Sequence, residues 1–276
     1  MSGAGHFADR LAAAVERKGA PLCVGLDPDP ALMPEGLGVV EFCRGIVDAV
    51  AETVVAVKPQ AAFFEAQGAD GWAALTEVCG HAREAGLLVI ADAKRGDVPS
   101  TAQAYAAAFA PLADAVTVSP YLGYDSLEPF FARDGLGVFV LVKTSNASSV
   151  DLQDLPLADG RPVWQHVAGL VDRWGADRLG ESGLSSVGAV VGATFPQEVA
   201  EARRLLPRSV LLLPGVGAQG GRAEDLAAAF SVGPAGALVS ASRSVLYADR
   251  GAGWQAAAAA EAERLADELR AVVAVG

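Results

Sequence analysis

Short apolar runs alternate with longer amphipathic segments along almost the whole chain. The apolar runs are four to six residues long and rich in Val, Leu, Ile and Ala, which is typical of strands buried on both faces. A segment with helical periodicity follows each run, and one further helix is predicted over 7–17, before the first run. We predict eight strands, at 21–26, 54–57, 87–90, 115–118, 138–142, 187–191, 210–213 and 237–240.

Regular alternation of strand and helix implies a parallel sheet with right-handed crossovers. Eight such units in about 250 residues is the size of a single (β/α)8 barrel, or TIM barrel. We therefore predict an α/β protein whose residues 1–276 form one barrel domain. A doubly wound open sheet is the structural alternative, but it usually has fewer strands at this length. Residues 148–159 are polar and poor in strand formers, so they are the candidate insertion.

The composition of the chain argues against several classes of binding partner and indicates a cellular location. The formal net charge of −12 argues against nucleic acid and acidic membrane surfaces, because both are bound by basic patches. The three cysteines lack metal-binding spacing and are expected to be buried and reduced. Residues 1–10 lack the apolar run of a secretory signal, and no run of 18 apolar residues could span a membrane. We expect a cytoplasmic protein.

Three charged residues follow the third apolar run within six positions: Asp92, Lys94 and Asp97. Side chains alternate along a strand, so Asp92 and Lys94 are expected to point the same way. In a (β/α)8 barrel the carboxyl ends of the strands carry the chemistry. The alternative is structural, with Asp92 and Lys94 forming an ion pair and Asp97 capping the next helix.

Other polar residues also follow the apolar runs: Asp27 the first, Lys58 the second and Ser145 the fifth. In a barrel these ends converge, so Lys58 would join the three charged residues after the third run in a network of alternating sign. Opposite neighbours keep each member ionised at a site of low polarity. Such a network can hold an ammonium as a proton donor and a carboxylate against an anionic group. Taken singly, Asp27 also suits an Asx turn, and Lys58 could extend from the rim.

A second group of residues has the chemistry of a phosphate site. Residues 215–221 read Gly-Val-Gly-Ala-Gln-Gly-Gly, and Arg243 follows the next apolar run. Glycines let backbone N–H groups approach an anion, and a guanidinium matches phosphate oxygens. The loops after strands seven and eight of (β/α)8 enzymes frequently bind phosphate. We therefore predict phosphate binding here, although a glycine-rich loop can also be a flexible connection.

These motifs, taken together, resemble one family. Residues 92–97, Asp-Ala-Lys-Arg-Gly-Asp, resemble the DxKxxD signature of orotidine 5′-phosphate decarboxylases. Residues 57–65, Val-Lys-Pro-Gln-Ala-Ala-Phe-Phe-Glu, and 214–219, Pro-Gly-Val-Gly-Ala-Gln, are similar to the longer bacterial subgroup of that family. The motifs occur in family order over nearly the whole chain.

The resemblance implies decarboxylation of orotidine 5′-phosphate (OMP) to UMP without a cofactor or metal, the last step of de novo pyrimidine nucleotide synthesis. It implies that Lys94 donates a proton to C6 as CO2 leaves, and that Asp92 lies against the departing carboxylate. Lys58 would bind ribose and hold the charge network. It also implies a homodimer in which Asp97 and Thr101 reach the neighbouring subunit's site. The remaining implied contacts are Asp27 to ribose, Ser145 to the pyrimidine, and Gln219 and Arg243 to phosphate.

Two other functions stay open. A metal-dependent phosphosugar decarboxylase of similar architecture shares DxKxxD, but it would need acidic ligands at neighbouring strand ends. The fourth and fifth runs here end in Ser119 and Lys143, which do not suit that role. A non-catalytic barrel that binds phosphonucleotides is the second alternative, and the complete set of charges favours chemistry over it.

Overall fold

Eight parallel strands form the centre of the structure, a computed structural model that describes residues 5–217 and 220–274. Each strand pairs with the next along the chain, and the eighth pairs with the first, so the sheet closes into a barrel. This confirms the predicted (β/α)8 fold. The strands are β1 (Leu22–Leu26), β2 (Ala56–Pro59), β3 (Leu88–Arg95), β4 (Ala115–Val118), β5 (Gly137–Lys143), β6 (Ser185–Val191), β7 (Ser209–Pro214) and β8 (Ala237–Ala241).

Most of the helices pack outside the barrel, against the outward faces of the strands. None of them, within the described ranges, is long and apolar enough to cross a bilayer. The α-helices are α1 (Phe7–Lys18), α2 (Val39–Val50), α3 (Ala61–Glu65), α4 (Ala69–Glu84), α5 (Pro99–Phe109), α6 (Glu128–Phe131), α7 (Val163–Gly175), α8 (Pro196–Leu205), α9 (Arg243–Leu246) and α10 (Trp254–Val273). Four segments are 3-10 helices: Tyr124–Ser126, Ala147–Asp151, Ala223–Phe230 and Pro234–Gly236.

The alternation of side chains along each strand separates an outer from an inner core. On β4, Val116 and Val118 belong to the outer core, whereas Ala115 belongs to the inner one. The inner core near the amino ends of the strands is apolar; its members include Cys23, Ala56, Ile90 and Ala115. Two residues further along these same strands the inward positions are Gly25, Lys58, Asp92 and Thr117. The barrel interior thus changes from apolar to polar toward its carboxyl end.

Helix α1, which the sequence predicted over 7–17, closes the amino-terminal end of the barrel. Phe7 and Leu11 are buried in the inner core. The Phe7 ring meets the Phe139 ring edge to face, with centroids 5.7 Å apart. A Cβ on Gly137 would lie 2.4 Å from the Phe7 ring, so only glycine lets the ring sit this deep.

The structure differs from the predicted elements at several places. Strand β3 extends past the apolar run to Arg95, because its far end pairs with β4 beyond a register shift. The helical segment predicted after the fourth apolar run is reduced to α6 after a 3-10 turn, and the one predicted after the seventh run is a 3-10 helix. Helices α3 and α9 were not predicted, since each is only four or five residues long.

Candidate active site

A cavity of about 530 Å³ opens at the carboxyl end of the barrel. This volume is within the range that binds small molecules and nucleotides. The polar side chains that line this cavity come mainly from the strand ends and the loops after them, where the sequence places its candidate residues. Six of the predicted site residues line the cavity: Asp27, Lys58, Asp92, Lys94, Ser145 and Arg243.

Asp92 lies between two ammonium groups. Lys58 Nζ donates to Asp92 Oδ2 at 2.7 Å, and Lys94 Nζ donates to Asp92 Oδ1 at 2.5 Å. The side chains of Lys58 and Asp92 are 6% and 8% exposed, whereas that of Lys94 is 42% exposed. Lys94 is therefore the member of this trio whose ammonium a bound ligand can reach most directly.

The pairing of opposite charges determines the ionisation of Lys58 and Asp92, the two buried residues of the trio. Burial alone would raise the pKa of Asp92, but the ammonium groups of Lys58 and Lys94 outweigh it and hold that pKa well below its usual value. Burial would likewise lower the pKa of Lys58, but the carboxylates of Asp92 and Asp27 raise it above its usual value. Both groups are thus charged at neutral pH.

Two residues that the sequence analysis missed complete the surroundings of Asp92. Gln60 Nε2 donates to Asp92 Oδ2 at 3.0 Å, and Thr117 Oγ1 donates to Asp92 Oδ1 at 2.9 Å. Each has a sequence signal that was available. Gln60 is two positions after Lys58, on the same side of its segment, and Thr117 is the one polar residue in the β4 sequence Ala-Val-Thr-Val.

Asp27 occupies the cavity wall after β1. Its backbone carbonyl accepts a hydrogen bond from the Tyr247 hydroxyl at 2.7 Å, and the same hydroxyl accepts one from Asp29 N at 2.8 Å. Asp27 Oδ1 is buried and has no hydrogen-bond partner among the described residues. A buried carboxylate oxygen of this kind is an acceptor for a ligand hydroxyl.

The start of the glycine-rich segment and Arg243 border the same cavity. Gly215, Val216 and Arg243 line the cavity. Gly215 and Gly217 have φ angles of 110° and 80°, a region that favours glycine. Arg243 is exposed and is the first residue of α9. Gln219, the other predicted phosphate ligand, lies outside the described residues.

Residues at the end of β5 and just after it contact the candidate insertion, residues 148–159. Lys143 Nζ lies 2.6 Å from Asp154 Oδ1, and the lysine side chain is 3% exposed. Gln153 makes two hydrogen bonds to Thr144. Its Oε1 accepts from Thr144 N at 2.9 Å, and its Nε2 donates to Thr144 Oγ1 at 2.7 Å. These contacts hold the turn that presents Ser145, and Gln153 itself lines the cavity. No local sequence signal marked Gln153.

Two predicted site residues are not among those lining this cavity. Asp97 follows β3, and its Oδ1 accepts from Val98 N at 2.7 Å. Thr101 is in the first turn of α5 and is half-buried. Within one chain the charge network therefore joins Lys58, Asp92 and Lys94, and the predicted fourth member, Asp97, is not hydrogen-bonded to them in the described chain.

Known proteins resemble this chain over most of its length. The model of the orotidine 5′-phosphate decarboxylase / HUMPS family matches residues 20–260. A protein of Roseiflexus castenholzii named orotidine 5′-phosphate decarboxylase is 48% identical over 277 residues, covering 97% of this chain and 98% of its own. The chain belongs to the orotidine 5′-phosphate decarboxylase / HUMPS family.

Solved structures support the family assignment. The Leishmania donovani OMP decarboxylase is 38% identical, with a TM-score of 0.80, and the match covers 98% of this chain and all of that one. The Leishmania donovani UMP synthase is 40% identical, with a TM-score of 0.81, but this family member spans only 56% of that longer chain. The matched part is the whole barrel, since 97% of the present chain is covered.

No group of three or more His, Cys, Asp or Glu side chains is placed to hold a metal ion in 5–217 or 220–274. Cys23 is the cysteine nearest the trio; its burial raises its pKa to about 12, which makes it a poor nucleophile. The polar groups that line the cavity are ammonium, guanidinium, carboxylate, hydroxyl and amide groups.

Proposed function

We propose that this protein decarboxylates orotidine 5′-phosphate to UMP and CO2, the final step of pyrimidine nucleotide synthesis. The observation that carries the proposal is the placement of Lys58, Asp92 and Lys94 in one cavity with hydrogen bonds between them. A carboxylate held between two amines is suited to this reaction, because the substrate loses a carboxylate and its carbon gains a proton.

The proposed reaction needs no external electron acceptor. The bond between C6 of the pyrimidine and its carboxylate carbon breaks, the electron pair stays on C6, and CO2 leaves. Lys94 Nζ then supplies a proton to C6 and becomes a neutral amine, which a proton from water restores. A preorganised cation beside the carbon that gains charge stabilises the transition state more than the ground state. Asp92 would oppose the substrate carboxylate and thereby favour its departure.

The rest of the nucleotide would be bound away from the reacting carbon. Arg243 and the segment from Gly215 onward would hold the phosphate, together with Gln219. Asp27 Oδ1, buried without a hydrogen-bond partner in the described chain, suits a ribose hydroxyl, and Lys58 would bind the ribose as well. Ser145 would contact the pyrimidine. Binding energy from these remote groups can be used to orient the reacting carbon against Lys94.

We further propose a homodimer in which Asp97 and Thr101 of one subunit complete the site of the other. The loops after β3 and β4 lie side by side, since Ser119 N donates to Arg95 O at 2.7 Å. They expose three large apolar residues that support an interface there: Val98 (52% exposed), Tyr121 (79%) and Leu122 (45%). We place the dimer in the cytoplasm, where a pyrimidine pathway operates and its cysteines stay reduced.

A decarboxylation assay tests the proposed activity directly. Purified protein is mixed with OMP, and the loss of its absorbance and the release of CO2 are followed with and without excess EDTA. We expect UMP and CO2 in equal amounts at an unchanged rate with EDTA. No turnover of OMP, together with metal-dependent release of CO2 from a keto-gulonate phosphate, would favour the phosphosugar alternative, and binding of OMP without turnover would favour a non-catalytic barrel.

A further inference from the structure

Lys94 has an unusual backbone conformation. Its φ angle is 49°, and it is the only non-glycine residue with positive φ in the described part of the chain. For a residue with a Cβ this region is sterically strained. A backbone of this kind persists only where the surroundings hold it, and such residues cluster at functional sites.

The pairing of β3 with β4 is irregular at the same place. Ala91 pairs with Val116, but the next pair is Arg95 with Val118, so β3 has extra residues between the two pairs. Lys94 lies inside this bulge. Bulges near active sites change the direction in which a side chain points, and here the affected side chain is the one that faces the cavity beside Asp92.

Thr117 is the β4 residue opposite the bulge. Its Oγ1 accepts a hydrogen bond from Lys94 N at 3.0 Å and donates one to Asp92 Oδ1 at 2.9 Å. The residue is 1% exposed. A hydroxyl has one donor and two acceptor positions, so this single group can connect the backbone of Lys94 to the carboxylate that its ammonium also contacts.

We propose that Thr117 is a positioning residue: its hydroxyl holds Lys94 in the left-handed backbone conformation and so directs the ammonium at the reacting carbon. The inference rests on the proposed decarboxylation, in which Lys94 is the proton donor. Valine has nearly the shape of threonine and suits a strand equally, but it can neither accept from Lys94 N nor donate to Asp92. The Thr117→Val variant therefore removes the two hydrogen bonds and little else.

The kinetic test compares wild type, Thr117→Val and Thr117→Ser with OMP as substrate. We expect Thr117→Val to lower kcat by about 10- to 100-fold, the scale that a small misplacement of a reacting group produces. KM for OMP and Kd for UMP should change by less than about threefold, because the phosphate and ribose contacts are untouched. Thr117→Ser keeps the hydroxyl and should recover most of the rate.

An unchanged kcat in Thr117→Val, or an equal loss in Thr117→Ser, would overturn the inference. If the valine variant does not fold, Thr117→Cys takes its place, since a thiol is a much weaker hydrogen-bonding group.

Crystal structures separate this inference from the proposed activity, because they report on Lys94 whether or not OMP is turned over. Relaxation of the Lys94 φ angle to negative values in Thr117→Val, with retention of positive φ in Thr117→Ser, would support the positioning role. Retention of the wild-type angle and of the Lys94–Asp92 contact in Thr117→Val would contradict it. Failure of wild type to release CO2 would instead contradict the proposed activity.

Discussion

Lys58 Nζ donates a 2.7 Å hydrogen bond to Asp92 Oδ2 across the β2–β3 pair, and both side chains are almost completely buried. Removal of one partner from a buried ion pair leaves the other charge poorly compensated, which typically destabilises a protein by about 3–5 kcal/mol. Because Lys94 still pairs with Asp92 in Lys58→Ala, we expect this variant to lower the free energy of unfolding in urea by an amount at the lower end of that range, about 3 kcal/mol.

Arg161→Ala is the matched control for this loss. Arg161 pairs with Asp159 at 2.7 Å, but both side chains are about half exposed. The control should lower the free energy of unfolding much less than Lys58→Ala does, because solvent screens an exposed pair. Equal effects of Lys58→Ala and Arg161→Ala would show that the buried pair has no special part in stability.

The same pair predicts how stability depends on pH. The pKa of Asp92 is lower in the folded protein than in the unfolded chain, so its contribution is present above about pH 4 and is lost as the pH falls below that value. The pKa of Lys58 is higher in the folded protein, so its contribution is present below about pH 10 and is lost as the pH rises further.

Thermal melting from pH 3 to pH 11 checks this dependence. Asp92→Asn removes the titrating carboxylate and should weaken the acid limb relative to wild type, whereas Lys58→Met should weaken the alkaline limb. Identical pH profiles for wild type and both variants would mean that neither group contributes to the pH dependence.

Arg243 is expected to act on binding more than on chemistry. It lines the cavity at the proposed phosphate end, far along the chain from the charge trio. Loss of a charged hydrogen bond costs about 1.5–3 kcal/mol, so Arg243→Ala should raise KM for OMP by about 10- to 100-fold. Steady-state kinetics measures this change.

Arg222→Ala is the control, because Arg222 follows the same glycine-rich segment but is exposed and paired with Glu224. That variant should leave KM unchanged. A normal KM in Arg243→Ala would place the phosphate elsewhere in the cavity.

The proposed sharing of active sites between subunits predicts complementation between two inactive variants. Lys94→Ala should abolish turnover while UMP still binds, and Asp97→Ala should also lose most activity. In a dimer with exchanged residues, a mixed pair has one site with both native residues. Equal mixtures should therefore recover about a quarter of the wild-type sites after subunits are exchanged by dilution and reassociation.

Recovery is measured as kcat per subunit, with sedimentation to verify the dimer. The control is Lys94→Ala mixed with Asp92→Asn, two residues that contact each other within one chain. That mixture should stay inactive, since both changes would affect the site of their own subunit. No recovery in the first mixture would count against the shared site.

The barrel itself was predictable because the alternation of a buried strand and an amphipathic helix repeats eight times. Parallel strands require such a crossover between one strand and the next. The cluster of Lys58, Asp92 and Lys94 followed as well, since all three stand at the ends of buried strands. Asp97 is not among the residues that line the cavity of its own chain, so its proposed role rests on the proposed second subunit. Its role stays a prediction, as do those of Thr101 and the other ligand contacts.

Other features could not be predicted from the sequence, because they depend on tertiary contacts or on segments too short to show periodicity. The positive φ of Lys94 arises from the bulge between β3 and β4, and register between strands is not encoded in any local pattern. Gln153 contacts Thr144 from nine positions away, through the fold of the insertion. Very short helices such as α3 and α9 contain too few residues to show periodicity.

Helix α1, which inserts Phe7 and Leu11 into the amino-terminal end of the barrel, also determines the path of reactants. With that end filled by packed side chains, OMP enters and both UMP and CO2 depart through the opposite opening. Substrate entry and product release therefore use the same opening at different times. Any segment that covers this opening during the reaction delays the release of both CO2 and UMP.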